Sequence, residues 1–149
     1  SGIINTGNSF RQLYGRFEAK IKLNPHKGLR KAFWMLSDQK VPHIDVIKFN
    51  GKLSLGNFWA PENSSDYEKK TGSIFSKKYV KDFYIYTLDW TPDKLVWKIN
   101  DVVVDTITKG IPKDPMYILF SGGVENKRAN QFPSDMEIDW VRCYQFKNK

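Results

Sequence analysis

The sequence predicts an all-β protein built as an antiparallel β-sandwich. Three observations favour this class: short segments alternate polar and apolar residues, turn-forming residues separate them, and helical periodicity is scarce. Short strands at regular spacing with polar turns are typical of sandwiches. A chain of 149 residues with 40% hydrophobic content can bury one core. We therefore expect a single domain spanning residues 1–149.

The first half of the chain contains three strand patterns. Tyr14–Leu23 alternates charged and apolar residues, which predicts a half-buried strand. Ala32–Leu36 is a short bulky run, and the loop Asp38–Pro42 connects it to the strand His43–Asn50, so these two strands should pair antiparallel. The stretch Asn57–Ser76 is rich in Pro, Asn, Ser and Gly, which predicts a loop.

The second half of the chain predicts five strands. They are the aromatic segment Phe83–Trp90, then Leu95–Ile99, Val102–Ile107, Met116–Phe120 and Met136–Tyr144. Asn100 and Asp101 separate the second strand from the third, and these residue types favour a two-residue hairpin turn. A Gly-, Asn- and Lys-rich loop, Gly122–Gln131, separates the last two strands. Trp34, Trp90, Trp97 and Trp140 lie within apolar strands, so we expect them in the core.

The strand that begins at His43 carries one apolar residue too many for strict alternation. In a regular strand Lys48 would point to the face opposite His43. One inserted residue at Val46 or Ile47 forms a β-bulge and returns Lys48 to the face of His43 and Asp45. The sequence therefore predicts a bulged strand with His43, Asp45 and Lys48 on one face.

Composition limits the environment and the partners. No apolar run reaches the length of a membrane span, and no signal peptide opens the chain, although a mature or trimmed chain would lack one. Cys143, the single cysteine, excludes an internal disulfide, and as a strand residue it is expected to be a small buried hydrophobe. The net charge of +8 indicates either a lysine-rich solvated surface or a polyanionic partner.

Five blocks along the chain resemble, in order, glycoside hydrolase family 16. They are YGRFEAKIKL (Tyr14–Leu23), KGLRKAFWML (Lys27–Leu36), HIDVIKF (His43–Phe49), FYIYTLDWTPD (Phe83–Asp93) and MEIDWVRCYQ (Met136–Gln145). The family contains laminarinases, lichenases, agarases and carrageenases. The resemblance implies a concanavalin A-like jelly-roll sandwich and an extracellular, periplasmic or cell-surface setting.

The resemblance also implies that the family's opening strands are absent from this chain. Their absence would leave sheet edges and core uncovered. Three explanations stay open: a processed or truncated piece, a pared-down fold, or a second chain that covers the gap.

The catalytic strand of the family reads Glu, apolar, Asp, apolar, apolar, Glu. The resemblance therefore places His43 at the nucleophile, Asp45 at the central aspartate and Lys48 at the acid/base. Retaining hydrolysis needs two carboxyl groups about 5 Å apart. An imidazole is a poor substitute for the nucleophile, and an ammonium with an ordinary pKa of about 10.4 donates its proton poorly at neutral pH.

Other family positions have changed as well. A family histidine on the following strand corresponds to Ser54, and the usual Trp and Pro before AFWML correspond to Arg30 and Lys31. Together with His43 and Lys48, these two cations predict a basic cleft. Asn57 and Trp59 are further binding candidates, with Trp59 either packed or available as a sugar-stacking platform.

Metal sites have weak support in the sequence. Asp139 matches a family aspartate that helps to bind a structural calcium, but one carboxylate is too few for such a site. A zinc site formed by His26, His43 and Asp45 would join separate segments without a further His or Cys. We expect no other cofactor.

Three functions remain in competition at this point. The first is a catalytically disabled domain that binds a polysaccharide, including an anionic one, or serves as a structural or recognition module. The second is an active endo-glycosidase that uses Asp45 with Glu62 or with a residue from a partner chain. Nucleic-acid binding rests only on a pI of 9.5 and the aromatic residues, and no binding motif accompanies them. We therefore expect no nucleic-acid partner.

Overall fold

Strands make up nearly all of the regular structure. The computed structural model describes residues 1–61, 66–74, 78–125 and 134–147. The strands are β1 (Gly2–Asn5), β2 (Gly15–Lys22), β3 (Leu29–Leu36), β4 (His43–Asn50), β5 (Leu53–Trp59), β6 (Glu68–Ile74), β7 (Phe83–Trp90), β8 (Leu95–Ile99), β9 (Val102–Ile107), β10 (Tyr117–Val124) and β11 (Glu137–Tyr144). A short 3₁₀ turn, Lys78–Val80, precedes β7.

These strands form two antiparallel sheets with one core between them. The six-stranded sheet has the order β1-β10-β3-β4-β5-β6, and the five-stranded sheet has the order β11-β2-β7-β8-β9. Strand β2 illustrates the division: Phe17, Ala19 and Ile21 are fully buried, while the residues between them face outward. Trp90 and Trp97 lie in the core as predicted. The predicted antiparallel sandwich is confirmed.

Two predicted turns set the register of neighbouring strands. Strands β3 and β4 pair antiparallel across the loop that precedes His43. Strands β8 and β9 form a hairpin in which Asn100 and Asp101 have φ values of 47° and 65°. Positive φ at both central residues is the requirement of the type I′ turn that suits a hairpin. Both pairings confirm the sequence prediction.

The predicted loops 57–76 and 122–131 are wrong in part. Residues 57–59 complete β5, and Glu68–Ile74 forms β6 at the sheet edge. This edge strand is exposed along most of its length, so it has no apolar face that a period-2 pattern could show. Likewise β10 continues to Val124, while residues 126–133 lie outside the described part of the chain.

Two tryptophans and the cysteine are less buried than expected. Trp34 is half-buried on the outer face of the six-stranded sheet, and Trp140 is half-buried with the guanidinium of Arg142 4.1 Å from its ring centre. Cys143 is also half-buried, and burial raises the pKa of its thiol to about 11. Within the described residues, no helix has the length and apolar character needed to cross a membrane.

An ion-pair cluster ties three strands of the five-stranded sheet together. Asp89 accepts hydrogen bonds from Arg16 Nε at 2.6 Å, Arg16 Nη2 at 2.9 Å and Lys98 Nζ at 2.7 Å. Burial alone would raise the pKa of Asp89, but the hydrogen bonds from Arg16 and Lys98 outweigh it and lower the pKa. The cluster therefore favours the folded state while Asp89 is ionised.

We expect Asp89→Asn to lower the free energy of unfolding by about 1.5–3 kcal/mol at pH 7, because hydrogen bonds to a charged group are lost. Since the folded pKa of Asp89 is depressed, its stabilisation is complete above the ordinary aspartate pKa of about 3.9 and is lost as the pH falls through the folded value. Urea unfolding at pH 7 and pH 3 measures both effects. The difference from wild type should shrink at pH 3, and exposed Asp114→Asn serves as the control.

Candidate functional site

The register around β4 contains the predicted bulge. On the β5 side, Asp45 pairs with Gly56 and Lys48 pairs with Ser54, so three steps along β4 match two along β5. The register on the β3 side also shifts at this point. Val46 and Ile47 are both buried. The bulge therefore turns both apolar residues inward and returns Lys48 to the outer face.

A tryptophan of the opposite sheet holds the bulge in place. Trp97 Nε1 donates a buried hydrogen bond of 3.0 Å to the main-chain oxygen of Asp45. A bulge disrupts the regular ladder, and a buried carbonyl without a partner is costly. The indole satisfies this carbonyl and joins the centre of the site to the core.

His43 and Asp45 form a direct pair on the outer face. His43 Nε2 donates to Asp45 Oδ1 over 2.7 Å. The side chain of His43 is 27% exposed and that of Asp45 is 9% exposed. Asp45 is therefore a nearly buried carboxylate whose nearest partner stands where the family would keep a second carboxylate. The imidazole restrains the Asp45 carboxylate through this hydrogen bond.

Lys48 lies on the same face as Asp45, and the bulge separates the two residues along β4. It is half-buried opposite Ser54, and Ser54 Oγ donates to the main-chain oxygen of Lys48 at 3.5 Å. Among the described residues, no carboxylate forms an ion pair with the Lys48 ammonium. The predicted grouping of His43, Asp45, Lys48 and Ser54 is thus present as one surface.

Four aromatic rings form a row across this face, called here the aromatic row: Trp34, His43, Phe58 and Tyr67. Their successive ring centres are 4.8, 5.0 and 6.4 Å apart. Lys40 Nζ lies 6.0 Å from the Tyr67 ring centre. Aromatic faces suit the apolar faces of sugar rings. The row is therefore a surface on which a chain of sugars could stack.

Sequence reasoning missed Phe58 and Tyr67. Phe58 pairs directly with His43 across β4 and β5, so the register of that hairpin was the signal that could have found it. Trp34 was assigned to the core because its strand is apolar. Its indole Nε1 instead donates to Ser121 Oγ at 3.1 Å, which fixes the ring on the outer face.

The two predicted cleft cations lie apart. Arg30 is exposed and pairs with Glu125, with 3.4 Å between Nη1 and Oε2. Lys31 points the other way: it is buried, and its Nζ donates to the main-chain oxygens of Asn24 and Asp135. Neighbouring residues of a strand face opposite sides, so these two cations could not share a cleft. Lys31 is therefore buried away from the face that carries Arg30.

Asn57 and Trp59 also lie away from the site. Asn57 is fully buried, and its Nδ2 donates to the main-chain oxygens of Lys109 at 3.3 Å and Gly110 at 2.9 Å. Trp59 packs on Gly110, where a Cβ atom would lie 2.0 Å from the indole. Asn57 and Gly110 therefore hold a loop against β5. Trp59 was expected either to pack or to stack on sugars, and its contact with Gly110 is a packing contact.

The metal candidates do not come together. Asp139 forms an ion pair of 2.9 Å with Lys20, and the described residues contain no group of three or more His, Cys, Asp or Glu suited to a metal. His26 Nδ1 instead contacts the oxygen of Asn24 at 3.0 Å. Among the described residues, the calcium and zinc candidates therefore form no group of three ligands.

The number of carboxylates at the site determines whether these strands alone can supply the two that hydrolysis needs. Strands β3, β4 and β5 are described in full, and the single carboxylate among them is Asp45. Glu62, the predicted alternative partner, lies outside the described residues. Two-carboxylate hydrolysis cannot be assembled from the residues of these three strands.

Comparisons with known proteins agree with this architecture. The endo-1,3-1,4-beta-glycanase ExsH of Rhizobium meliloti is 30% identical over 155 residues, covering 97% of this chain and 33% of the relative. The chain thus spans about a third of that curated relative. A solved structure described as a Bacteroides ovatus mixed-linkage glucan GH16 protein in complex with a product has a TM-score of 0.80 at 24% identity, covering 97% of this chain and 75% of that one.

A second solved structure, the endo-beta-1,3-glucanase of Pyrococcus furiosus, also has a TM-score of 0.80 at 23% identity, covering 99% of this chain and 67% of that one. These likenesses confirm the predicted jelly-roll fold. The family described as Glycosyl hydrolases family 16 matches residues 1–142, which is nearly the whole chain. The chain belongs to glycosyl hydrolase family 16.

Proposed function

We propose that this chain is a polysaccharide-binding domain that does not carry out the family's two-carboxylate hydrolysis. The observation that carries the proposal is the single carboxylate of β3, β4 and β5, Asp45, paired at 2.7 Å with His43. A missing acid/base alone costs about 10² to 10⁴ in rate. Within β3, β4 and β5, the face keeps a surface for sugars and lacks a second carboxyl group that would help to cleave them.

The ligand class is suggested by the relatives and by the aromatic row. The Rhizobium meliloti relative is named a 1,3-1,4-beta-glycanase and the Pyrococcus furiosus structure a beta-1,3-glucanase. A β-glucan is therefore the first ligand to test. The row of Trp34, His43, Phe58 and Tyr67 supports stacking of consecutive sugars.

Positive charge on the same face supports a preference for an anionic polysaccharide. Lys48 has no carboxylate partner among the described residues, and Lys40 stands at the Tyr67 end of the aromatic row. Arg30 contributes less, because Glu125 pairs with it. A carboxylated or sulfated glycan would supply the missing counter-charge for Lys48.

Active hydrolysis is the second candidate. Asp45 is a nearly buried carboxylate at the centre of the face, and the relatives above carry hydrolase names. An acid from outside the described strands, such as Glu62, or from a partner chain would then complete the site. Such activity depends on Asp45, which makes the two candidates separable.

Two further properties follow the same proposal. A polymeric glycan ligand favours an extracellular, periplasmic or cell-surface setting. A second polypeptide chain that covers the exposed edges of the sandwich is supported by Ile3 and Ile4 of β1, which are 56% and 64% exposed. Apolar side chains on an uncovered edge favour association with another strand.

The first prediction concerns hydrolysis. With laminarin, lichenan or a carboxylated polysaccharide, reducing-sugar release by the wild-type chain should equal that of Asp45→Asn, because β3, β4 and β5 supply no second carboxyl group for the mechanism. Asp114→Asn, an exposed acidic position, is the matched control. Release that Asp45→Asn abolishes and Asp114→Asn preserves would favour the active glycosidase.

The second prediction concerns the aromatic row. Phe58→Ala and Tyr67→Ala should each weaken laminarin binding about threefold to tenfold, the effect of one lost stacking contact. Affinity electrophoresis and calorimetry measure this. Tyr144→Ala removes an exposed ring from the other sheet and should have no effect. Because Tyr67 is exposed, its variant also separates lost binding from lost folding.

The third prediction concerns charge. Binding to polygalacturonate should weaken about tenfold between 0.05 and 0.5 M salt, because salt screens exposed charges, while laminarin binding should change little. Lys48→Met should reduce polygalacturonate binding and its salt dependence. Lys52→Met removes an exposed lysine from the β4–β5 turn and is the control. Salt-independent binding of both polysaccharides would contradict the charge argument.

A further inference from the structure

Strand β6 brings a lysine to the face that carries the aromatic row. Phe58 of β5 pairs with Lys69 of β6, and Asn57 pairs with Lys70. Paired residues of neighbouring strands lie on the same face, with Cβ atoms about 5 Å apart. Lys69 therefore lies beside the ring of Phe58. Lys70 belongs to the side of the buried Asn57, although the sheet edge leaves it exposed.

A second lysine reaches the same place from another segment. Lys40 lies in the loop between β3 and β4, and its Nζ is 6.0 Å from the ring centre of Tyr67. The rings of Tyr67 and Phe58 have centres 6.4 Å apart, and Tyr67 is 52% exposed. Two ammonium groups thus flank two neighbouring rings. We call Lys40, Phe58, Tyr67 and Lys69 the cationic end of the aromatic row.

The charges of the cationic end are not cancelled by ion pairs within the described part of the chain. No carboxylate there forms an ion pair with Lys40 or Lys69. Glu68 precedes Lys69, but it pairs with Trp59 along the strand and so belongs to the opposite side. Its Oε2 lies 2.8 Å from Lys109 Nζ. Both lysines of the cationic end are therefore available to an anionic ligand.

The cationic end is separate from Lys48. Lys48 pairs with Ser54, and Ser54 pairs with Ser73. Ser73 lies four residues beyond Lys69, which is about 13 Å along a strand. Lys48 and Lys69 therefore lie beside different parts of a bound polysaccharide.

We propose that the cationic end is a subsite for one acidic sugar, and that Lys69 and Lys40 determine its specificity. The sugar ring stacks on Phe58 and Tyr67, and its carboxylate or sulfate pairs with the ammonium groups. A lysine ammonium is a compact point charge, so it accepts either anion. This subsite rests on the glycan binding proposed above. It adds the position of the charged sugar and the residues that select it.

Protection of a sheet edge is the competing role for these lysines. Lysines on an edge strand prevent unwanted strand pairing, and β6 is the edge of its sheet. That role makes Lys69 and Lys70 equivalent, because both are exposed on the same strand. A subsite makes them different, because Lys69 alone pairs with Phe58. The two neighbouring lysines therefore provide a matched comparison.

The test uses the full chain and three ligands with one backbone: laminarin, carboxymethyl laminarin and laminarin sulfate. Affinity electrophoresis and calorimetry measure binding. At 0.05 M salt, Lys69→Met should weaken binding of at least one charged derivative about threefold, the effect of one exposed ion pair. Laminarin binding should be unchanged. At 0.5 M salt the difference between variant and wild type should disappear, because salt screens exposed charges.

Lys70→Met is the control and should leave the binding of all three ligands unchanged. The double variant Lys40→Met with Lys69→Met should weaken binding of the same charged derivative about tenfold, because both ammonium groups are lost. Urea unfolding of each variant should match wild type, since all three lysines are exposed. Lost binding then reports a lost contact rather than lost folding.

Three outcomes would overturn the inference. Equal losses for Lys69→Met and Lys70→Met mean a general attraction of polyanions to the edge. An equal loss of laminarin binding in Lys69→Met means a contact without a charge requirement. Unchanged binding of both charged derivatives in Lys69→Met means that no such subsite exists. In these three cases laminarin binding by the wild-type chain still supports the glycan proposal, whereas a wild-type chain that binds none of the ligands refutes both.

Discussion

The bulge in β4 is the constraint on which the outer face depends. Without it, the strict alternation of a strand would turn Lys48 into the core beside Ile44 and Val46, where an unpaired ammonium is costly, and would turn Phe49 outward. With it, Val46 and Ile47 both face inward and Lys48 lies opposite Ser54. The hydrogen bond from Trp97 Nε1 to the oxygen of Asp45 compensates the disrupted ladder. One inserted residue thus decides which side chains a ligand can meet.

Most of the fold could be predicted because the alternation of polar and apolar residues along a strand shows which side chains are buried. Strand β2 alternates without exception, and the pair Asn100 and Asp101 permits the positive φ values of a two-residue turn. Strand β6 could not be predicted in the same way, since an edge strand covered by solvent on both faces has no apolar period. Its pairing depends on β5 rather than on its own sequence.

The site was less predictable because it depends on which face each residue occupies. The family resemblance located His43, Asp45 and Lys48, and the bulge could be inferred from one extra apolar residue. The face that each β3 residue occupies was harder to predict. Trp34 was expected in the core and Lys31 in the cleft, but Trp34 lies on the outer face and Lys31 is buried. Phe58 and Tyr67 join the face through pairing with β4 and through ring contacts, which no single segment records.

The contacts that maintain the face are largely independent of the side chains that would perform chemistry. Trp97 holds a main-chain oxygen, and Trp34 is fixed by Ser121, so neither contact changes when the residues at positions 43 and 48 change. At positions 43 and 48, where the family resemblance predicts carboxylates, this chain has His43 and Lys48, and His43 forms a direct hydrogen bond with Asp45. Acidic groups at both positions would repel the Asp45 carboxylate, whereas an imidazole and an ammonium do not. The contacts that fix the face therefore do not depend on a carboxyl group at either position.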